Sequence, residues 1–168
     1  NIINQASTIG STDSVTENLT TTSVTYSSTG KIGTAITTGS GKMVGQTASN
    51  FQFISNQGND WTISLWFKYL GTWENGHAII ANCNSSASNG FIFDVRTGGD
   101  IRFVAIGSIN NNFTVGNTDA NWHHYVLTYN NTSTVCELWV DGVSKGTVSA
   151  DITETSTPDT VIQFGDTD

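Results

Sequence analysis

Few residues in this sequence could carry out chemistry. Three histidines, two cysteines and four glutamates are the candidates, among fourteen acidic side chains in all. Hydrolysis of a glycosidic bond needs a carboxyl group on either side of it, which on a β-strand means acids two or four apart on one face. Glu17, Glu74, Glu137 and Glu154 form no Glu-x-Asp-x-Glu run. Glu137 points to the outer face of its strand without a partner acid on that strand. His77, His123 and His124 are available to a Ser-His-Asp arrangement, but no nucleophile-elbow pattern accompanies them. His123 and His124 fall within a strand, where structural roles take precedence over catalytic ones. Cys83 and Cys136 lack Cys-x-x-Cys spacing, and with three scattered histidines they make no zinc site. The chain reads as a non-enzyme.

Binding fits the residues better. Carbohydrate sites set aromatic rings against sugar faces and add amide or carboxylate hydrogen bonds. Trp73 in a polar loop, and Trp66 and Trp139 on the non-core faces of their strands, are the platforms available, with His124 on the same face as Trp139. The competing reading for Trp66 and Trp139 is a second small core beneath covering loops.

The element that must position most of these groups is a hairpin over residues 121–142, NWHHYVLTYNNTSTVCELWVDG. Its two arms are rich in aromatic and β-branched residues, which suit a half-buried pleated surface. Asn130-Asn131-Thr132-Ser133 is the polar turn. A four-residue loop there pairs Tyr129 with Thr134, Leu127 with Cys136, Tyr125 with Leu138 and His123 with Val140, all on the core face. The other face then sets Val126 opposite Glu137 and His124 opposite Trp139. Asp141-Gly142 is a type I′ turn signal leading into a further strand over 143–148. A second clean alternation covers 61–69. Trp61, Ile63, Leu65, Phe67 and Tyr69 share the core face, leaving Thr62, Ser64, Trp66 and Lys68 on the other.

Trp122-His123-His124, Tyr129 and Leu138-Trp139-Val140-Asp141-Gly142 together resemble the signature of laminin G-like, or concanavalin A-like, jelly-roll domains. Lys31-Ile32-Gly33-Thr34-Ala35-Ile36 is similar to an early glycine-containing segment of that family, and Asp60-Trp61-Thr62-Ile63-Ser64-Leu65-Trp66-Phe67-Lys68 to its Thr-Ile-Ser-x-Trp strand. The resemblance spans about residues 30–165. It implies an all-β, two-sheet antiparallel jelly-roll sandwich over residues 30–168, preceded by a low-complexity segment 1–29 that is an edge strand or a linker. It also implies glycan or cell-surface receptor partners and a rim calcium held by hard oxygen ligands. Asn59-Asp60, Asp119 with Asn117 and Asn121, and Asp166-Thr167-Asp168 could contribute to a calcium site, although none matches a family calcium motif residue by residue. Family members continue past the strand near 161–164 into a final strand; this chain stops at Asp168. The expectation is a truncated chain, or a sheet edge closed by residues 1–29 or by a neighbouring copy.

Elsewhere, short strands are expected over 32–40, 41–46, 51–54, 77–81, 91–96, 101–106 and 161–164, with turn signals about every ten residues. Phe91, Phe93 and Val95 should face in, and Asp94 and Arg96 out. Residues 107–120 read as polar loop, with a short strand near Phe113 and Val115, and Cys83 falls in a loop. A disulfide between Cys83 and Cys136 and a simply buried Cys136 thiol are both compatible with the sequence. Length favours one domain of 168 residues. The net charge of −8 and the absence of a basic stripe exclude nucleic acid as a partner. No apolar run reaches membrane-spanning length. A surface of hydroxyls and amides fits an extracellular module. The chain begins at Asn1 without a leader, as a processed or excised piece would. A glycan-binding or adhesion module is the first reading. A virion or surface-appendage structural domain, such as a phage capsid decoration or fibre unit, is the second.

Overall fold

Turn residues punctuate this chain so often that its backbone hydrogen bonds must be satisfied between short neighbouring strands. The structure, a computed structural model, describes residues 19–26, 29–33, 35–38, 41–83, 89–107 and 109–165. Its strands are β1 (Thr20–Thr22), β2 (Thr25–Tyr26), β3 (Ile36–Thr37), β4 (Lys42–Val44), β5 (Trp61–Phe67), β6 (His77–Ala81) and β7 (Phe91–Arg96). They continue as β8 (Asp100–Ala105), β9 (Ile109–Phe113), β10 (His123–Asn130), β11 (Val135–Val140), β12 (Val143–Ser149) and β13 (Gln163–Gly165). One sheet runs β1-β4-β13-β6-β7-β8-β9, the other β12-β11-β10-β5, and β2 with β3 forms a small ribbon. Every pairing is antiparallel. This is the two-sheet jelly-roll sandwich expected.

Between the sheets lies one apolar cluster. Phe91, Phe93, Val95, Ile101 and Phe103 come from the larger sheet, and Ile63, Tyr125, Leu127, Cys136 and Leu138 from the smaller. Trp61 bridges the two, its ring 5.3 Å from that of Phe103 and 5.5 Å from that of Tyr129. Burying each such aliphatic or aromatic group contributes about 1.5–3 kcal/mol before the entropy of ordering it is subtracted. A second, smaller cluster of Ala78, Ala81, Cys83, Ile92 and Val104 sits on the other face of β6 to β8. Cys83 and Cys136 are both free and buried. The Cys83 thiol donates to the Phe91 carbonyl at 3.3 Å, so no disulfide joins the two.

The central hairpin forms, but two residues out of the expected register. Asn130 pairs with Val135, Tyr129 with Cys136, Leu127 with Leu138 and Tyr125 with Val140. The cause lies in the turn. Asn130 remains in the strand while its side-chain oxygen accepts from the Ser133 N–H at 2.8 Å and the Ser133 hydroxyl at 3.0 Å. Thr134 takes the left-handed conformation, φ 51°, so the loop falls on 131–134. A shift of two leaves every side chain on its expected face, because the strand repeat is two. It does move Trp139 opposite Val126 and Glu137 opposite Thr128. The Asp141-Gly142 turn forms as expected, with both residues at positive φ, 51° and 78°.

Other expectations need correction. Residues 51–54 are not a strand: Ala48–Ile54 is a pair of 3-10 turns broken at Phe51. The Asn50 N–H bonds the Thr47 carbonyl and the Ser55 N–H bonds the Gln52 carbonyl, and this local bonding displaces a ladder. The segment 32–40 shortens to Ile36–Thr37 within the described residues, and Ile32 stands exposed. The short strand expected near Phe113 and Val115 instead runs back from Phe113 through the asparagines as β9; its Ile109 and Phe113 are buried while the asparagines between them face outward or lie half-buried. Asp94 leaves β7 on the face expected, yet it is wholly buried. Arg102 reaches its carboxylate through Nε at 3.1 Å and through Nη2, and Arg96 lies 3.7 Å away. Burial lifts the Asp94 carboxyl above its ordinary value, and the two guanidinium groups oppose that rise. Of the N-terminal segment, Thr20–Thr22 pairs with β4 at the edge of the larger sheet; residues 1–18 lie outside the described residues.

Candidate functional site

The outer face of the smaller sheet is assembled by the alternation of three strands. From β5 come Thr62, Ser64 and Trp66, from β10 His124, Val126 and Thr128, and from β11 Glu137 and Trp139. Trp66 pairs with His124 and Ser64 with Val126. Trp139 follows on the far side of Val126, two strands and roughly 10 Å from β5. The Trp66 and His124 rings stack at 5.1 Å. The Ser64 hydroxyl and His124 Nε2 hydrogen-bond at 2.9 Å. Ser144, on β12, donates to Glu137 at 2.7 Å. Trp66 is 38% exposed. The β10–β5 register, continued one residue, sets Trp122 opposite Lys68, and the Lys68 ammonium sits 5.5 Å from the Trp122 ring centroid. Lys31 comes from a segment distant in sequence and places its ammonium 5.2 Å from the Trp66 ring. Both distances fall within cation–π range.

Trp66 also borders a groove of about 880 Å³ at the end of the sandwich. Residues 29–32 and 35–38 form one wall and 65–72, Glu74 and 77–79 the other, with Met43 and Phe164 among the apolar groups between them. A volume of this order fits a small-molecule or oligosaccharide ligand. The structure therefore brings together three of the four residues singled out in the sequence. Trp66, His124 and Trp139 share one face, with Trp66 and His124 in contact. Trp73 does not join them: it is half-buried, packs against the core and meets the Tyr69 ring edge-on at 4.9 Å. It is not the free loop tip expected, because Tyr69, at the end of the core-facing row of β5, draws it inward.

Below this face sits a titratable knot. His123 faces the core side of the hairpin root, with Nδ1 2.5 Å from Asp141 and Nε2 3.0 Å from Asp119. Only the doubly protonated ring can donate to both carboxylates. Burial works against that charge, but the two acids outweigh it and hold His123 above its ordinary value. Asp141 in turn accepts the His124 N–H at 2.9 Å, and Asp119 accepts the Asn121 N–H at 2.7 Å. Both carboxyls are held below the usual range: Asp141 by these bonds against the opposing effect of burial, and Asp119 first by its bond to His123. The knot fastens the 117–121 loop to the β11–β12 turn.

Catalytic geometry does not emerge. Among the described residues, the only carboxylate in the groove lining is Glu74, so they do not bring together there the two flanking acids of glycoside hydrolysis. The Ser64–His124 pair lies across two rigid strands, and Asp141 engages the His123 ring and the His124 backbone rather than the His124 ring. Burial pushes both thiols up to about 12, far from a reactive thiolate. Among the described residues, no three His, Cys, Asp or Glu side chains converge in a way that could hold a metal ion. Asp60 accepts the Asn131 N–H at 2.7 Å, and the expected cluster at Asp166–Asp168 lies outside the described residues. No described helix is long and apolar enough to cross a membrane.

Sequence reasoning missed Lys31 and Trp122 as parts of the site. Trp122 was legible from the pairing of β10 with β5, since it follows the same alternation as His124. Lys31 carries no local signal; only the folded chain brings it over Trp66.

A family model described as the concanavalin A-like lectin/glucanases superfamily matches residues 39–168. No curated protein matches the chain. Among solved structures, the binding domain of Paraclostridial Mosquitocidal Protein 1 aligns with a TM-score of 0.65 at 16% identity, covering 89% of this chain and 39% of that one. The binding domain of botulinum neurotoxin serotype D aligns with a TM-score of 0.65 at 17% identity, over 96% of this chain and 42% of that one. Botulinum neurotoxin type C, which depends on interaction with two ganglioside molecules to enter cells, aligns with a TM-score of 0.58 at 14% identity, over 89% and 38%. The chain spans about two fifths of each of these structures, and at such identities the likeness is one of fold.

Proposed function

The chain belongs to the concanavalin A-like lectin/glucanases superfamily, and on that premise we propose that it is a non-catalytic carbohydrate-binding module working at an extracellular surface. Its ligand is a glycan or a glycan-bearing receptor. The observation that carries this reading is the position of Trp66. It is the most exposed tryptophan ring of the outer sheet face, borders the groove and is braced by His124. A braced ring with an accessible surface can stack on a sugar without losing much conformational freedom. Val126 and Trp139 extend the apolar platform, and Ser64, Thr128 and Glu137 supply hydroxyl and carboxylate groups beside it. The scarcity of acids among the described residues of the groove supports binding rather than hydrolysis. That a structural neighbour interacts with gangliosides fits the same reading.

Calcium belongs to the proposal as a separate arm. Its candidate donors are Asp60 and Asp119 with their asparagine neighbours, hard-oxygen groups of the kind calcium takes. The test is a glycan array probed with the protein in calcium and again in chelator. Retention of at least one glycan class is expected, and loss on chelation would assign a rim cation. No retention in either condition would overturn the carbohydrate reading and leave the structural-unit reading in its place.

A further inference from the structure

We propose that the groove beside Trp66 takes an acidic, carboxylate-bearing sugar, with Lys31 and Lys68 as the groups that recognise its charge; this rests on the carbohydrate reading above. The chain carries a net charge of −8 and only six basic side chains. Arg96 and Arg102 are engaged by Asp94. Two of the four lysines, Lys31 and Lys68, line this groove, and among the described residues Glu74 is the only carboxylate facing them there. The charged lining, counted over the described residues, is thus net positive on a strongly acidic protein, and His77 also lines the groove.

No acid among the described residues holds either ammonium group. Among the described residues, the ion pairs involve Arg96, Arg102 and His123 only. Each lysine instead rests over an indole, Lys31 over Trp66 and Lys68 over Trp122. Trp66 and Lys68 leave adjacent same-face positions of one strand and its end, roughly 7 Å apart. A ring surface flanked by two ammonium groups without a carboxylate partner matches a sugar whose apolar face stacks and whose carboxylate lies to one side. Lysine suits this task as a mobile point charge that can swing from an indole to an anion. Electrostatic focusing in a groove favours capture of an anion even where the whole molecule is acidic.

The experiment compares matched glycans, one sialylated or uronate-bearing and its neutral counterpart, by biolayer interferometry at low and physiological salt. The proteins are wild type, Lys31→Gln, Lys68→Gln, the double variant and Lys68→Arg. Lys31 is exposed and Lys68 half-buried, and unchanged near-ultraviolet dichroism and unfolding midpoint confirm intact folding. The inference predicts that the acidic glycan binds about tenfold more tightly, that each Gln change weakens it roughly threefold, and that added salt narrows the gap. The double variant should bind both glycans equally, and Lys68→Arg should keep the preference. Equal binding of both glycans by wild type, or a preference that survives the double change, overturns the acidic-sugar inference and leaves the carbohydrate reading standing. No binding of either member of any pair overturns both.

Discussion

His123 is where a single side chain has the most consequence. Its ring ties Asp119 to Asp141 and so ties a loop to a turn. Its value is raised above the 6.5 of an ordinary histidine, so the stabilisation is complete below the unfolded-state value and drains away as pH rises through the folded one. On the acid side, the lowered values of Asp119 and Asp141 preserve the knot until those carboxyls protonate. The stability difference between wild type and His123→Gln should therefore be greatest in mildly acidic solution and shrink toward alkaline pH. Thermal unfolding followed across pH 5–9 checks this. A difference that stays constant over that range would show that the charge of the ring contributes nothing.

At the scale of the element, the strand alternation decides which groups meet. β5 and β10 place their large apolar residues on one face and Ser64, Trp66 and His124 on the other, as their sequence pattern shows without a structure. The exact opposition of residues was not legible, because it depends on Thr134 entering the left-handed region, a choice no periodicity reveals. β9 was legible only at its Phe113 end for a different reason: Asn110, Asn111 and Asn112 have poor strand propensity, and pairing with β8 overrides it. Asp94 shows the limit of alternation most clearly. The pattern gives its face, but not that Arg102 and Arg96 enclose it there. Removing the acid would leave Arg102 facing a buried site without its counter-charge. Asp94→Ala is expected to cost about 3–5 kcal/mol, read as a lower urea midpoint with an unchanged slope. A loss below about 1 kcal/mol would mean that the pair is no stronger than a surface ion pair.

On the scale of the whole molecule, the sandwich builds a rigid frame and leaves the decoration of one end to residues far apart in the chain. Residues 29–32 and 35–38 meet residues 65–72 and 77–79 there, beside Met43 of β4 and Phe164 of β13. This explains why the fold was readable and half of the site was not. Core faces repeat every two residues, whereas the meeting of Lys31 with Trp66 is a single long-range contact without a local pattern. It also explains the fate of Trp73, whose polar loop suggested exposure and whose ring is drawn against Tyr69.

The most direct measurement is an amide NMR titration of the isotope-labelled protein with a glycan retained on the array. The account predicts shift changes concentrated on Lys31, Trp66, Lys68, Trp122 and His124, with the indole N–H of Trp66 among the largest, and weaker changes at Trp139. Changes gathered instead on β7, β8 and β9 of the larger sheet, or none anywhere at saturating glycan, would contradict it.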